Sequence, residues 1–163
     1  PVAFQRSAAI VALTRGEEIA FENIRIEAGL AAAGAEFAPG VDAFEAGLGF
    51  AVNLKRDGFV GCEALTRNAQ APRRVLRGLH LACDDVPAHG APVYRGERQV
   101  GVVTSATRSP TLEHSIAMAR ITVEHAEPGT ALQVGELDGH MKRLGATVVT
   151  TPFIDPERAR ARA

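Results

Sequence analysis

The chain has 163 residues, of which 46% are apolar, 23% charged and 5% aromatic. That is enough for one compact domain, or one domain with a fragment of a second, whose core needs neither disulfide nor metal. Eighteen Lys and Arg against nineteen Asp and Glu give a formal charge of −1, which removes the electrostatic case for a dedicated nucleic-acid binder. No apolar run approaches the roughly 18 residues of a membrane span. Cys62 and Cys83 are the only cysteines, with no CxxC, secretory leader or glycosylation sequon. Both are expected as reduced, buried thiols of a cytoplasmic protein, or of a mitochondrial-matrix protein in a eukaryote. The chain begins at Pro1 without Met, as a processed protein or a piece of a longer one does.

Pro1 to Arg15 is apolar and Ala-rich, and its periodicity does not choose between strand and buried helix. Glu17 to Gly29 reads as a helix. Glu17 and Glu18 open it on the favourable side of the macrodipole, Gly29 suits its C′ position, and Ile19, Ala20, Ile24 and Ala28 form an apolar stripe. Ala31 to Asn53 is Gly-rich and irregular, and Phe59 to Gln70 makes a short helix carrying Val60, Ala64 and Leu65. From Arg73 the period changes to two: Val75, Arg77, Leu79 and Leu81 alternate with Arg74, Leu76, Gly78 and His80. Further strands are predicted over Pro92–Tyr94, Gln99–Thr107, Ile116–Glu124, Ala131–Leu137 and Gly145–Phe153. Arg95-Gly96-Glu97 is one turn between them, and Glu127-Pro128-Gly129-Thr130 has the pattern of a type II turn. Six short strands with turn signals predict a small antiparallel barrel or sandwich, with the boundary in Thr66–Pro72 and a frayed tail over Glu157–Ala163.

Familiar catalytic patterns are absent. His80, His89, His114, His125 and His140 are never spaced i, i+4 and have no Cys pair beside them, so they read as surface or strand-edge histidines rather than metal ligands. No GxGxxG, Walker A, GxSxG or HExxH occurs. Asp84-Asp85, Arg73-Arg74 and Lys142-Arg143 read as solvated charges at loops and strand ends.

Three stretches, taken together, resemble the C-terminal half of the glycine cleavage T-protein (aminomethyltransferase) family, shared with the folate domain of dimethylglycine and sarcosine dehydrogenases. Ile24-Arg25-Ile26-Glu27-Ala28-Gly29-Leu30 is similar to the family's LRLEAGL helix. Phe44-Glu45-Ala46-Gly47-Leu48-Gly49-Phe50-Ala51-Val52 and Asp57-Gly58-Phe59-Val60-Gly61-Cys62-Glu63-Ala64-Leu65 resemble EAGLGFAVKL…DFIGREAL. Gly101-Val102-Val103-Thr104-Ser105, with Ser109-Pro110-Thr111-Leu112 and Ile116-Ala117-Met118-Ala119, resembles VGxVTSG…SPxL…IALA. Order and spacing fit from about Glu17 to Pro156.

The resemblance implies a mainly β fold: a six-stranded antiparallel, Greek-key-like barrel over residues 73–156, preceded over 1–70 by an α/β remnant of the folate-binding domain and followed by a tail, 157–163. It implies one-carbon transfer from an aminomethyl donor to tetrahydrofolate, with the catalytic aspartate in a preceding half, so that no catalytic residue is expected in this chain. The partners implied are folate and an N-terminal catalytic half or partner subunit. The candidate folate-binding residues are Arg25, Glu27, Glu45, Thr104 and Ser105. Each has a plainer reading. Arg25 and Glu27 suit an ion pair or helix packing, which is preferred, and Thr104 and Ser105 suit backbone bonding, again preferred. Glu45 suits backbone bonding or a pterin ring equally. The chain departs from the family pattern at Phe21, which stands where the family has a folate-contacting arginine, at Asp42-Ala43 in place of Thr-Pro, at Ala106 in place of Gly, and in a tail without the family's tyrosine. Two alternatives accompany this reading: a non-catalytic folate-binding or docking module, and the folate half of a flavin-dependent dimethylglycine or sarcosine dehydrogenase.

Overall fold

The alternation that begins at Arg74 closes on itself. In the computed structural model, which describes residues 16, 19–56, 58–136 and 142–156, six strands form one closed antiparallel barrel. They are β1 (Arg74–Leu81), β2 (Pro92–Arg95), β3 (Arg98–Arg108), β4 (Ser115–Thr122), β5 (Ala131–Gly135) and β6 (Arg143–Val149). Their order around the wall is β1-β4-β3-β2-β5-β6. β2, β3 and β4 follow one another as hairpins and β1 lies beside β4, the arrangement of a Greek key. The β5–β6 hairpin then closes the gap between β2 and β1. Gly129, at φ +90°, takes the left-handed position of the predicted turn, and Thr130 N donates to Glu127 O at 3.1 Å.

The period of two sorts the side chains. Leu79, Leu81, Val93, Val103, Ile121, Val134 and Val148 point inward and fill the barrel, each contributing about 1.5–3 kcal/mol on burial. β4 breaks the rule of one wet face. Ala117, Ala119 and Ile121 face the interior, while Ile116 and Met118 face outward and are equally buried. They belong to a second cluster on the outer wall with Ile26, Leu76, Leu112 and Phe153. A strand covered on both sides reads as an unbroken apolar run.

The outer cover comes from a helix, α1 (residues 19–27). A second helix, α2 (Cys62–Gln70), lies between α1 and the barrel in sequence. It begins at Cys62 rather than Phe59 and runs to Gln70, so the stretch expected as a boundary is largely helical and only residues 71–73 link it to β1. The other described residues before β1 form turns, a short 3-10 turn (Gly49–Ala51) and one isolated parallel bridge, Ala33–Phe37. Among the described residues no helix is long and apolar enough to cross a membrane. Cys62 and Cys83 are free but only half-buried. The expectations for Pro1–Arg15, Glu17-Glu18, Leu137, His140 and the tail Glu157–Ala163 lie outside the described residues.

Three strands end earlier than predicted. β5 stops at Gly135, leaving Glu136 outside the ladder. β4 passes at Thr122 into a 3-10 turn over Val123–His125. β6 stops at Val149, and residues 150–155 leave the ladder as a strap along the outer wall. Phe153 N and Ile154 N donate to Glu27 O at 3.0 and 3.3 Å, tying the strap to α1. Phe153 stacks on His80, whose ring meets His114 edge-on at 4.6 Å between centroids. These two histidines are therefore a packed pair beneath the strap, not surface residues. His114 Nδ1–H donates to Leu112 O at 2.9 Å, and its Nε2 is buried without a partner.

Burial, and then the neighbouring His114, push the His80 pKa below its ordinary 6.5. Below pH 6.5 the unfolded chain then binds more protons at this site than the folded one, so stability rises with pH. The contribution is complete above pH 6.5 and is lost as pH falls from there toward the folded pKa. Urea midpoints measured between pH 8 and pH 5 should fall on the acid side, and His80→Phe should flatten that fall. An unchanged profile in the variant would place the acid sensitivity elsewhere.

Candidate functional site

α1 meets the barrel through an alternating set of hydroxyls. On β3 and the residue after it, Ser105, Thr107 and Ser109 lie two apart, and each bonds a different α1 side chain. The Thr107 hydroxyl donates to Asn23 Oδ1, Arg25 Nη2 donates to Ser105 Oγ at 2.8 Å, and the Ser109 hydroxyl donates to Glu27 Oε1. The helix face turned to the barrel thus carries Arg25 and Glu27 on either side of the buried Ile26. Its apolar stripe points the other way. Ile19, Phe21 and Ile24 are 62%, 65% and 65% exposed, and Ala20 and Ala28 are exposed as well. The stripe was predicted correctly, but the barrel does not bury it. The barrel-facing side can be polar because its charges are compensated one by one.

Arg25 is the hub of that compensation. It is 5% exposed, and its Nη1 donates to Glu36 Oε2 at 3.0 Å while its Nε and Nη2 engage the half-buried Glu22. The Ser105 hydroxyl completes a ring by donating to Glu36 Oε1 at 2.6 Å, and Ala32 N donates to Glu36 Oε2 at 2.9 Å. Glu36 itself is fully buried. Burial opposes the Arg25 charge, but the Glu22 hydrogen bond and the Glu36 charge outweigh it and hold the guanidinium above its ordinary range. Such a ring is what a buried ion pair requires, because each lone pair left open in a dry interior carries its full desolvation cost.

The other candidates lie apart from this ring. Glu27 receives Thr111 N at 3.3 Å and Thr111 Oγ1 at 3.2 Å in addition to Ser109. Thr104 sits at the irregularity between Val103 and Ser105, and its hydroxyl donates to Met118 O at 3.0 Å. Glu45 is well removed in the fold. It lines a cleft of about 520 Å³ with Asp42, Asn68 and Arg73, between the 40–45 loop, the end of α2 and the link to β1. The structure therefore brings Arg25 and Ser105 together, places Glu27 and Thr104 nearby on other partners, and sets Glu45 in a different place. Of the five, only Glu45 has a carboxylate or hydroxyl with no hydrogen bond or ion pair among the described residues.

Sequence reasoning missed Glu36, Asn23, Thr107 and Ser109. A signal for Glu36 was present: it is the one charged residue between Ala31 and Gly40, and a lone acid in an Ala/Gly-rich stretch is a candidate for a satisfied buried charge. Of the charges expected to be solvated, four are paired at the surface, Lys142 with Asp85 at 2.7 Å, Asp84 with Arg108 at 3.3 Å and Arg143 with Glu97 at 3.2 Å, whereas the Arg73 and Arg74 side chains have no partner among the described residues.

These features define a small Greek-key barrel with a helix clamped to its outer wall by β3-side hydroxyls around one buried ion pair. Residues 74–155 match the glycine cleavage T-protein C-terminal barrel domain, and the chain belongs to that family. It is 48% identical over 146 residues to the trimethylamine-oxide aldolase of Ruegeria pomeroyi, a match covering 88% of this chain and 18% of that protein. It is 40% identical over 134 residues to the aminomethyltransferase of Listeria welshimeri, covering 81% of this chain and 36% of that one. The crystal structure of glycine cleavage system aminomethyltransferase T from Bartonella henselae superposes with a TM-score of 0.74 at 27% identity, over 82% of this chain and 37% of that chain. The chain thus spans between about a fifth and two fifths of the proteins it matches.

Proposed function

We propose that this chain is the C-terminal portion of a tetrahydrofolate-dependent one-carbon transferase of the aminomethyltransferase type. In this reading residues 1–70 end the folate-binding domain, 73–156 form the barrel and 157–163 the tail. The supporting observation is the outward stripe of α1. A helix that spends its polar side chains on the barrel and leaves Ile19, Phe21 and Ile24 in solvent has an apolar face that an isolated domain does not need. The chain covers 36% of the Listeria welshimeri relative, and the stripe is the surface on which the rest of such a protein would close. Phe21, in place of an arginine, adds apolar area there and offers no bond to a folate carboxylate.

The residues present do not make a folate site by themselves. Arg25, Glu27, Thr104 and Ser105 are spent on holding α1 and β4, which leaves Glu45 as the group able to accept the paired N–H donors of a pterin edge. The role of this portion is then to brace a pocket whose other walls and catalytic carboxylate lie outside it. A second reading is supported by the higher identity, 48%, to a protein named for trimethylamine oxide: the parent enzyme takes its carbon from that amine oxide rather than from an aminomethyl group.

The test is calorimetric titration with 5-formyltetrahydrofolate. One sample is the 163-residue chain. The other is the same chain joined to the part of the Listeria welshimeri aminomethyltransferase outside the match. Saturable binding only in the fusion is expected. Saturable binding to the short chain, abolished in Glu45→Gln, would put the pterin on this portion alone, and silence in both samples would remove folate from the reading.

A further inference from the structure

The cleft beside Glu45 has a composition that neither the fold nor the folate reading explains. Asp42, Glu45 and Arg73 all line it, within about 520 Å³, a volume in the range of small-molecule sites, roughly 300–1,000 Å³. Asp42 is fully engaged. Its Oδ1 accepts Phe44 N at 2.7 Å and Glu45 N at 3.0 Å, and its Oδ2 accepts Asn68 Nδ2 at 3.1 Å. Those bonds fix the loop that carries Glu45 and brace it against α2. Arg73 is fixed from the other side. It follows Pro72, and its carbonyl accepts Val123 N at 3.3 Å where the barrel begins. The backbone that carries the two side chains is thus held by hydrogen bonds on opposite sides of the cleft.

Neither charged group is spent. Among the described residues the side chains of Glu45 and Arg73 have no hydrogen bond or ion pair, to each other or to anything else, although they share one cleft. Two opposite charges that share a cleft without pairing are complementary to a molecule that carries both signs. We propose that the cleft binds a small zwitterion, an aminocarboxylate whose ammonium lies against Glu45 and whose carboxylate lies against Arg73. The proposal does not rest on the folate reading, although both use Glu45: Arg73 has no part in a pterin contact at Glu45, so the Arg73→Gln variant tells the two apart.

The experiment is a ¹H–¹⁵N shift titration of the 163-residue chain with glycine, β-alanine, γ-aminobutyrate and 5-aminovalerate, read at the amides of Glu45, Asn68 and Arg73. Butylamine and butyrate serve as single-charge controls. One chain length should bind at least about tenfold more tightly than either control, with Glu45→Gln and Arg73→Gln each removing that advantage and added salt weakening it. Both substitutions are at polar positions outside the barrel core, so an unchanged barrel spectrum verifies that the variants fold. Equal shifts for zwitterions and controls, no shifts at these amides, or binding indifferent to Arg73→Gln would each overturn the proposal. Loss on Glu45→Gln alone, with Arg73→Gln silent, would overturn it in favour of a simple ammonium contact.

Discussion

Glu36→Leu should lower the stability of the chain by about 3–5 kcal/mol, the usual cost of removing one partner of a buried ion pair. The carboxylate is fully buried and serves three donors at once: Arg25 Nη1, the Ser105 hydroxyl and Ala32 N. Leucine matches its bulk but leaves all three donors unanswered, one of them charged. The guanidinium cannot escape by losing its proton, because an arginine side chain stays protonated in proteins and its neighbours raise its pKa further. Glu22 is a weak substitute, being 43% exposed in its side chain. Its own removal, Glu22→Gln, should cost less than about 1 kcal/mol. In a chain of this length a loss of 3 kcal/mol lowers Tm by about 6–12 °C.

The double variant distinguishes a broken pair from a simple packing defect. Arg25→Leu with Glu36→Leu removes both charges together, and buried pairs exchanged for apolar side chains are often close to neutral. The double variant should therefore be more stable than the Glu36→Leu single, with a coupling of about 1–3 kcal/mol in a urea cycle. Additive losses would mean that the ring of bonds contributes only as independent contacts. A midpoint for Glu36→Leu within error of the parent would mean that α1 is not held by this charge at all.

The barrel was legible in the sequence because a period of two survives local variation, and because Pro128-Gly129 and Gly96 mark turns that few other residues permit. The placement of α1 was only half legible. Its stripe of Ile19, Ala20, Ile24 and Ala28 was visible, but periodicity names an apolar face without naming what will cover it. The barrel instead took the polar side, since Ser105, Thr107 and Ser109 supply partners that lie close to α1 in space and about 80 residues away in sequence. Glu36 was hidden for the same reason: its partners come from three separate stretches of chain. The ends of β4 and β6 were overrun because Val123 and Phe153 continue the apolar pattern after the ladder has stopped. Residues packed on the outside of a barrel resemble residues packed inside it. The cleft at Glu45 left only faint traces, because Asp42, Asn68 and Arg73 are ordinary loop, helix and strand-end residues until the fold sets them around one space.

Gly101→Ala should be the most damaging single methyl in the barrel wall. A Cβ at that position would stand 2.4 Å from the Arg120 carbonyl oxygen and 3.1 Å from the Ile121 Cα. Both atoms are β4 backbone, paired with β3 in the register Gly101↔Ile121 and Val102↔Arg120. Backbone cannot yield as a side chain can. Relief requires β3 and β4 to part, which loosens the strand that carries Ser105 and Thr107 to α1. Overpacking of this kind costs about 1–3 kcal/mol and occasionally more, and the rigidity of the obstacle places Gly101→Ala at or above the upper end. Gly78→Ala is the informative control. Its Cβ would also come closer than van der Waals contact allows, at 2.8 Å, but would meet the Phe153 ring and, at 2.9 Å, the Val149 side chain. The Phe153 ring can shift outward with the strap and the Val149 side chain can turn on its β6 backbone, so the ladder stays intact. Urea unfolding should thus rank Gly101→Ala well below Gly78→Ala in stability. Hydrogen exchange should show β3 and β4 amides losing protection in the first variant, and only Phe153 and Ile154 losing it in the second. The reverse order would mean that the strap, rather than the β3–β4 pairing, sets the stability of the barrel.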